Sequence, residues 1–554
     1  MWFVTPRLHC TYYHLLLLFY HFFTFTFQVT ALGDFSFTLQ FGSNATSGQT
    51  GGTFEINVVG KGHPGVCFEK AYPTSGSYEP YANGVDQGTT EIRLVTGGFA
   101  SGGTNFPNSE PSPDGQYIAY SYMPSGSPVD RHLFVVSATG GTPVQVTPAA
   151  PTSPRQNIGF VWGQNSAGDQ PLCVMSDHES SANDKRIYTC VISGSGTPTV
   201  NNFTEITGWG TISSTRKPFT AKWSPDGTRL VFQLYTPVTG SPQRELWGCV
   251  FSGGTPSTAT ELKGTSSFTN PEVQIGGGSN DYVWADSSTL LYSADGDTAG
   301  VEDLYAVSVS VSGGVLVAGA QMKQNTSAPV SGYGSRWAVT SDGQRVAFIP
   351  NTSGIDVPLI ANINTSSTPT NVSAVSGLTP QTNADCNRLV WAPDNLSLAF
   401  VGDLEVDSDF ELYWQALTST TGTVTLSGGT TRLSNTPTNY AVQEMHFSPD
   451  GGRILFRQYD FNVTSYNELV IATVSSTPTR VTIASGFTNP TASLNRPRWK
   501  PGTGDFVLVQ GSISGSYEAW VIPLGGADLM TVGTRYTVSG SFSSGSIGSV
   551  NWVP

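Results

Sequence analysis

A five-residue corner recurs through this chain: Trp223-Ser224-Pro225-Asp226-Gly227, followed at once by the apolar residues Leu230, Val231, Phe232 and Leu234. It reads as strand, tight turn, strand. Pro225 presets φ at the second turn position, Asp226 suits the third, and Gly227 takes the left-handed conformation that a type I hairpin needs. The residue before the turn serves as a ruler along the chain: Pro111, Trp162, Trp223, Trp284, Trp337, Trp391, Phe447, Trp499 and Trp552. Successive spacings are 51, 61, 61, 53, 54, 56, 52 and 53 residues. At Trp337 the turn, Ser341-Asp342-Gly343, comes two residues late. A period of this size sustained to the end of the chain constrains the fold more than any other feature.

Each unit continues in the same way. After the turn comes an apolar strand, such as Tyr117-Ile118-Ala119-Tyr120 or Ile454-Leu455-Phe456. A variable loop leads to a third strand, such as Leu133-Phe134-Val135-Val136, Leu246–Val250, Leu304–Val307, Leu412–Trp414 or Leu469–Ile471. A Gly- or Ser/Thr-rich turn leads to a fourth, such as Pro143–Thr147 or Thr431–Leu433. A lone four-stranded sheet cannot bury both faces, whereas stacking it radially on its neighbours does; the expectation is an all-β chain forming a single β-propeller of four-stranded blades. The aromatic before the turn then fills the gap between neighbouring sheets rather than stacking on a ligand. With 62 Gly, 35 Pro and only 12% charged residues, the composition suits short strands and many turns. No helical period is sustained over three turns beyond residue 30.

The pattern W-S-P-D-G, apolar strand, L-Y/F-V-V, then G-G before a fourth strand resembles the TolB-type propeller repeat. It is similar also to the propeller domains of prolyl-oligopeptidase-type peptidases. The resemblance covers roughly residues 54–554. It implies a fold and little about function, since such propellers host many roles. The peptidases carry a separate hydrolase domain, for which the repeats leave no room, so no catalytic triad is carried over. Eight full units start at 111, 162, 223, 284, 337, 391, 447 and 499. The strand ending at Trp552 would be completed by N-terminal segments, with Val66-Cys67-Phe68-Glu69 as second strand and Glu91–Val95 as third. Counted literally this makes nine blades closed by both termini; the usual size of propellers favours eight, with part of the N-terminal unit as a cap.

Before the repeats, Arg7 precedes the apolar run Leu15 to Phe27, and Val29-Thr30-Ala31 offers a small-residue cleavage site. Residues 1–31 read as a secretory signal peptide, 32–53 as a flexible linker and 54–554 as the propeller. No later segment reads as membrane-spanning. The net charge of −14 repels phosphate backbones and argues against nucleic acid as a partner.

Catalytic chemistry is sparse. No G-x-S-x-G occurs, so the nucleophile elbow is missing. His63, His132, His178 and His446 are scattered over different repeats without HxH or HExxH spacing, and read as ordinary strand or surface histidines. Cys173 and Cys190 fall on adjacent strands, where a disulfide is the open alternative to two buried thiols; Cys67, Cys249 and Cys386 have no evident partner, and no CxxC occurs. Eight N-x-[ST] sequons, at Asn44, Asn202, Asn325, Asn351, Asn364, Asn371, Asn395 and Asn462, are about what chance supplies in a chain this rich in Ser and Thr. The one candidate metal set is the loop 402–411, in which Asp403, Glu405, Asp407 and Asp409 alternate as for Ca²⁺, with a weaker version at Asp295-Gly296-Asp297 and Glu302-Asp303. Calcium there would stiffen a loop and is the only cofactor suggested. The leading functional expectation is an exported, non-catalytic, monomeric scaffold of the periplasm or cell envelope that holds a protein or saccharide at a propeller face, through loops such as 165–170, 177–185 and 402–410. The alternatives are a polysaccharide- or peptide-acting enzyme with its site at the axis, and an adhesive or structural surface protein.

Overall fold

The computed structural model describes residues 10–15, 25–29, 35–40, 53–58, 66–71, 78–83, 92–93 and most of the chain from 109 to 552. The longer stretches outside the described set after 109 are 123–130, 149–157, 210–216, 237–242, 263–281, 331–335, 461–466, 488–494 and 538–546. Every regular element among the described residues is a strand.

Nine antiparallel sheets of the propeller type follow one another along the chain, each in simple up-and-down order. Their first strands are Ser109–Pro111, Ile158–Trp162, Lys217–Trp223, Tyr282–Trp284, Trp337–Val339, Cys386–Trp391, Tyr440–Phe447, Asn495–Trp499 and Ile547–Trp552, taken here as the first to ninth blades. In the third and eighth blades the outer strand is broken into two short pieces. First strands of neighbouring blades lie side by side at most of the junctions, so they form the inner ring. The ninth blade takes Ile547–Trp552 as its inner strand and Val66–Ala71, Tyr78–Asn83 and Ile92–Arg93 as its second to fourth. Two expectations are corrected here. The ring has nine blades rather than eight, because Val66–Ala71 pairs with Ile547–Trp552 and Tyr78–Asn83 and Ile92–Arg93 complete that sheet instead of capping the ring. The segment around Ile92 is a fourth strand, the third being Tyr78–Asn83, whose Glu79-Pro80 interrupts the apolar pattern that marks third strands elsewhere. Two further hairpins, Cys10–Leu15 with Phe25–Val29 and Phe35–Gln40 with Thr53–Val58, form separate two-stranded sheets.

The core is a series of layers between blades rather than one centre. Between the second and third blades, Cys173, Ile187 and Val191 pack with Trp223, Phe232 and Cys249. Between the eighth and ninth, Leu508, Ala519 and Val521 pack with Val66, Val550 and Trp552. Between the ninth and first, Cys67 packs with Ile118, Tyr120 and Val136, which closes the circle.

The aromatic slot does more than fill space. Trp223 donates its indole N–H to the carbonyl of Val161 on the preceding inner strand at 3.1 Å. The same bond runs from Trp162 to Glu110, Trp284 to Lys222, Trp391 to Ala338, Trp499 to His446 and Trp552 to Arg498. In each case the acceptor is the residue just before the preceding slot. Ala338 as acceptor places the fifth slot at Val339, which pairs with Val346 as Trp223 pairs with Leu230. The ruler residue Trp337 is therefore not the slot residue, and this explains why its turn came two residues late. It packs instead with Val330, Val346 and Phe348.

The corner itself is held by side chains. Ser224 Oγ donates to Asp226 Oδ1, which also accepts the Thr228 amide at 3.0 Å, while Gly227 stands at φ +67°. Gly115, Gly343 and Gly451 repeat that conformation at φ +70°, +69° and +70°. Burial works against ionisation of Asp226, but hydrogen bonds from Ser224 and Thr228 outweigh it and hold the carboxyl below its ordinary range. Two residues past the glycine, Arg229, Arg345 and Arg453 reach forward onto the next blade. Arg229 bonds the Ser287 and Val309 carbonyls, Arg345 those of Ser419 and Thr421, and Arg453 those of Gly504 and Leu529.

Candidate functional sites

Two places carry polar side chains beyond the needs of the scaffold: the second-to-third-strand loop of the sixth blade and the inner strands of the sixth to eighth blades.

In the loop, the four alternating carboxylates do not converge. Asp403 is 3% exposed and turns inward, accepting the amides of Asp385 and, at 3.1 Å, Ser408. Glu405 leaves the other way and pairs with Arg432 at 2.7 Å. Asp407 is exposed and accepts the Ser408 hydroxyl at 3.3 Å, and Asp409 is half-buried behind a turn in which its amide bonds the Val406 carbonyl at 3.2 Å. Ser408 adopts φ +67° in that turn, which is what splays the flanking carboxylates. Among the described residues no group of three or more His, Cys, Asp or Glu is disposed to hold a metal. Of the carboxylates Asp403, Glu405, Asp407 and Asp409, Asp403 is thus a backbone acceptor and Glu405 an ion-pair partner. The neighbourhood is nonetheless acidic: burial, then Asp403 and Asp356, raise the Asp385 carboxyl above its ordinary value. Asp356 is buried against Arg336 at 3.4 Å. Val406 is 55% exposed and Ile355 42% exposed.

The weaker acidic set is not a loop. Thr289–Thr298 and Val301–Ser312 form a hairpin in which Ala294 faces Asp303. Asp303 is buried and bonded to Lys323 and Asn325 at 2.6 and 2.7 Å, and Asp295 is buried too.

On the inner strands, the residue before each slot points away from the preceding blade. These are Glu110, Val161, Lys222, Val283, Ala338, Val390, His446, Arg498 and Asn551. Glu110 and His446 are exposed although their strands are flanked on both sides by other blades, so the solvent they meet is that of the central channel. The seventh, eighth, ninth and first blades thus give this end of the channel a polar arc of His446, Arg498, Asn551 and Glu110; the fourth to sixth give an apolar one of Val283, Ala338 and Val390. His446 keeps an exposed edge, but the protein packed around its ring desolvates it, and this and then the Arg498 charge push the imidazole down to about 4. Further along, Arg388 and Glu444 follow on the sixth and seventh inner strands, and Glu444 faces Arg457 across the strand pair.

Of the other histidines, His132 is buried against Thr147 and Gln145 at 3.3 and 3.2 Å, while His63 and the side chain of His178 lie outside the described residues. The disulfide alternative is ruled out by register. Cys173 faces Thr189 and Cys190 faces Leu172, so the two thiols leave opposite faces of the sheet. Cys173, Cys190, Cys249 and Cys386 are free thiols and, like Cys67, buried, and burial raises Cys190 and Cys249 to about 12. Sequence reasoning missed the Arg388, Glu444 and Arg457 cluster, because nothing local distinguishes a channel-facing polar residue from one on an outer strand. It also missed the forward-reaching arginines, whose D-G-x-R spacing was legible.

The ring of nine blades makes this chain a β-propeller. No protein-family model matches it, and no curated protein is similar to it at a significant level. Solved structures resemble it distantly. A prolyl endopeptidase, from work on two such enzymes and their inter-domain dynamics, is 10% identical with a TM-score of 0.41, covering 71% of this chain and 50% of its own. Prolyl oligopeptidase B from Galerina marginata is 8% identical with a TM-score of 0.39, covering 69% of this chain and 51% of its own. A putative TolB from Agrobacterium tumefaciens is 12% identical with a TM-score of 0.26, covering 50% of this chain and 86% of its own. The chain spans about half the length of the peptidases it matches, and the likeness extends to the fold alone. Among the described residues no helix is long and apolar enough to cross a membrane.

Proposed function

We propose that the chain is an exported, non-catalytic propeller that acts as a monomeric binding scaffold in the periplasm or cell envelope, holding a protein or saccharide on one face. The observation that carries this reading is the contrast between frame and loops. Blade junctions repeat one indole-to-carbonyl bond around the ring, while the second-to-third-strand connections differ from blade to blade. In the fourth blade the connection is a tight hairpin; in the sixth it is a projecting turn with Glu405, Val406 and Asp407 exposed. Variable loops on a rigid ring suit recognition. Because Asp403 is structural, the test alters the tip alone. The Glu405→Ala, Val406→Ser, Asp407→Ala variant, checked for an unchanged melting temperature, is used as bait in envelope extracts beside the wild type. Loss of a partner that the wild type captures supports the loop as the contact; identical capture removes it. Export rests on the apolar leader, and N-terminal sequencing of protein recovered outside the cytoplasm should begin after Ala31.

A second reading, an enzyme acting on a polysaccharide or peptide at the axis, is favoured by the polar arc that includes His446 and Arg498. Turnover of such a substrate that His446→Gln abolishes in a folded protein would support it.

A further inference from the structure

We propose that Arg388 and Arg457, on the sixth and seventh blades, form a subsite in the channel for a single carboxylate, the free carboxyl terminus of a peptide or the carboxylate of an acidic sugar. The inner strands Cys386–Trp391 and Tyr440–Phe447 lie side by side, and Glu444 on the second of them is the register partner of Arg457. Arg457 is 8% exposed. It gives one guanidinium nitrogen to Gln443 Oε1 and stands 3.9 Å from Glu444 Oε1, while its Nε is buried with no hydrogen-bond partner. Glu444 Oε2 and Asn387 Oδ1 are likewise buried without a hydrogen-bond partner. Arg388 is half-buried, with Glu444 and Arg457 within electrostatic reach. Among the described residues no carboxylate stands at ion-pair distance from it.

Two guanidinium groups and one carboxylate therefore lie together where the sixth and seventh blades meet, with one uncompensated positive charge among them, in a chain whose net charge is −14. Buried polar atoms are normally satisfied, and leaving several unpaired together is costly. A ligand carboxylate that accepts from the half-buried Arg388 supplies the missing negative charge, while Arg457 Nε, Glu444 Oε2 and Asn387 Oδ1, closed to solvent, act on it through space. Arg forks match carboxylates two N–H groups at a time. A carboxylate brings one negative charge and so neutralises the cluster; a phosphate dianion would overcharge it beside Glu444. The subsite does not depend on the sixth-blade loop, so failure of the loop variant leaves it standing.

The test is titration calorimetry on the full chain with four probes: a tripeptide with a free carboxyl terminus, the same tripeptide amidated, a galacturonate oligomer, and inorganic phosphate. Binding of the free peptide but not its amide assigns the peptide source; binding of the galacturonate oligomer but not the peptide assigns the sugar source. Arg388→Gln should weaken whichever binds by about tenfold or more, the loss of one charge-assisted pair. Glu444→Gln should tighten it several-fold by removing the repelling charge. Arg388→Lys, which keeps charge but not the fork, should recover only part. Because Arg457 is buried, its replacement is not needed. Each variant is checked by circular dichroism and melting temperature. No binding of either carboxylate probe at millimolar concentration, equal binding of the amidated peptide, phosphate bound more tightly than both, or Arg388→Gln without effect in a folded protein would each overturn the proposal.

Discussion

Gly227 stands at φ +67°, where a β-branched side chain meets its own backbone. Gly227→Val should therefore destabilise the protein by about 1–3 kcal/mol, read as a lower midpoint in urea, while carboxylate or partner binding at permissive temperature stays unchanged. A mutant that folded normally yet lost binding would show that the corner serves a surface rather than the scaffold. His446 makes a prediction of another kind. Its folded-state value, about 4, lies below that of an unfolded histidine, near 6.5. Between those values the unfolded chain binds more protons than the folded one, so this residue withdraws stability as pH falls from about 6.5 towards 4 and has no effect above that window. His446→Gln should flatten that part of the stability-pH curve; an unchanged slope would mean that the imidazole is freely solvated. At this scale the sequence was a good guide to turns and a poor one to the channel. Ser-Pro-Asp-Gly encodes its conformation within four residues, whereas Arg388 and Glu444 acquire their setting only when distant strands meet.

The same contrast holds among elements. The aromatic period located eight of the nine inner strands to the residue, and it failed at Trp337 because an aromatic near the slot was taken for the slot. Only the bond from Trp391 to Ala338 fixes Val339 as the position. If that bond matters beyond packing, Trp391→Phe should cost about 1 kcal/mol, since it removes the indole bond to the Ala338 carbonyl. Phe447, which lacks the donor, offers the converse: Phe447→Trp should raise the melting temperature by supplying a bond to Val390, provided the layer with Val442 and Ile454 accommodates the larger ring. Equal stability of Trp391→Phe and wild type would reduce the slot to a spacer. The acidic loop shows the limit of reading carboxylate spacing alone. Alternation says which residues share a side in an extended strand; the turn at Ser408 is what sends Asp403 inward and Asp407 out. Millimolar calcium should accordingly leave the melting temperature unchanged, and a clear rise would restore a metal site to this loop.

Across the molecule, the joint between the chain's two ends decides whether there is a ring at all. Recurrence in the sequence made the propeller legible, because each repeat carries its own strands and turns. The literal count of nine was legible too, and eight was preferred only for the usual size of propellers; the ninth is split, and its inner strand lies more than four hundred residues from the strand it pairs with. That strand is held by Trp552, donating to Arg498 on one side, and by Asn551, donating to the Ser109 carbonyl on the other at 2.9 Å. Removing residues 545–554 would strip the inner edge from Val66–Ala71 and uncover Val66, Leu508 and Val521, apolar side chains now almost wholly buried. The ring would then have two free edges, each with unpaired backbone groups and exposed apolar surface, a template for association. The shortened chain should melt at a lower temperature and self-associate in sedimentation. A synthetic peptide of residues 545–554, added in excess, should restore the melting temperature, because the rest of the blade already supplies its pairing partner. The same peptide with Trp552→Ala should fail, having lost both the indole bond and the side chain that fills the layer, a loss of about 3–5 kcal/mol for a buried Trp. If the shortened chain stayed monomeric and fully stable without the peptide, the ring would be closed by contacts other than this strand, and the nine-blade closure would not be what holds the fold together.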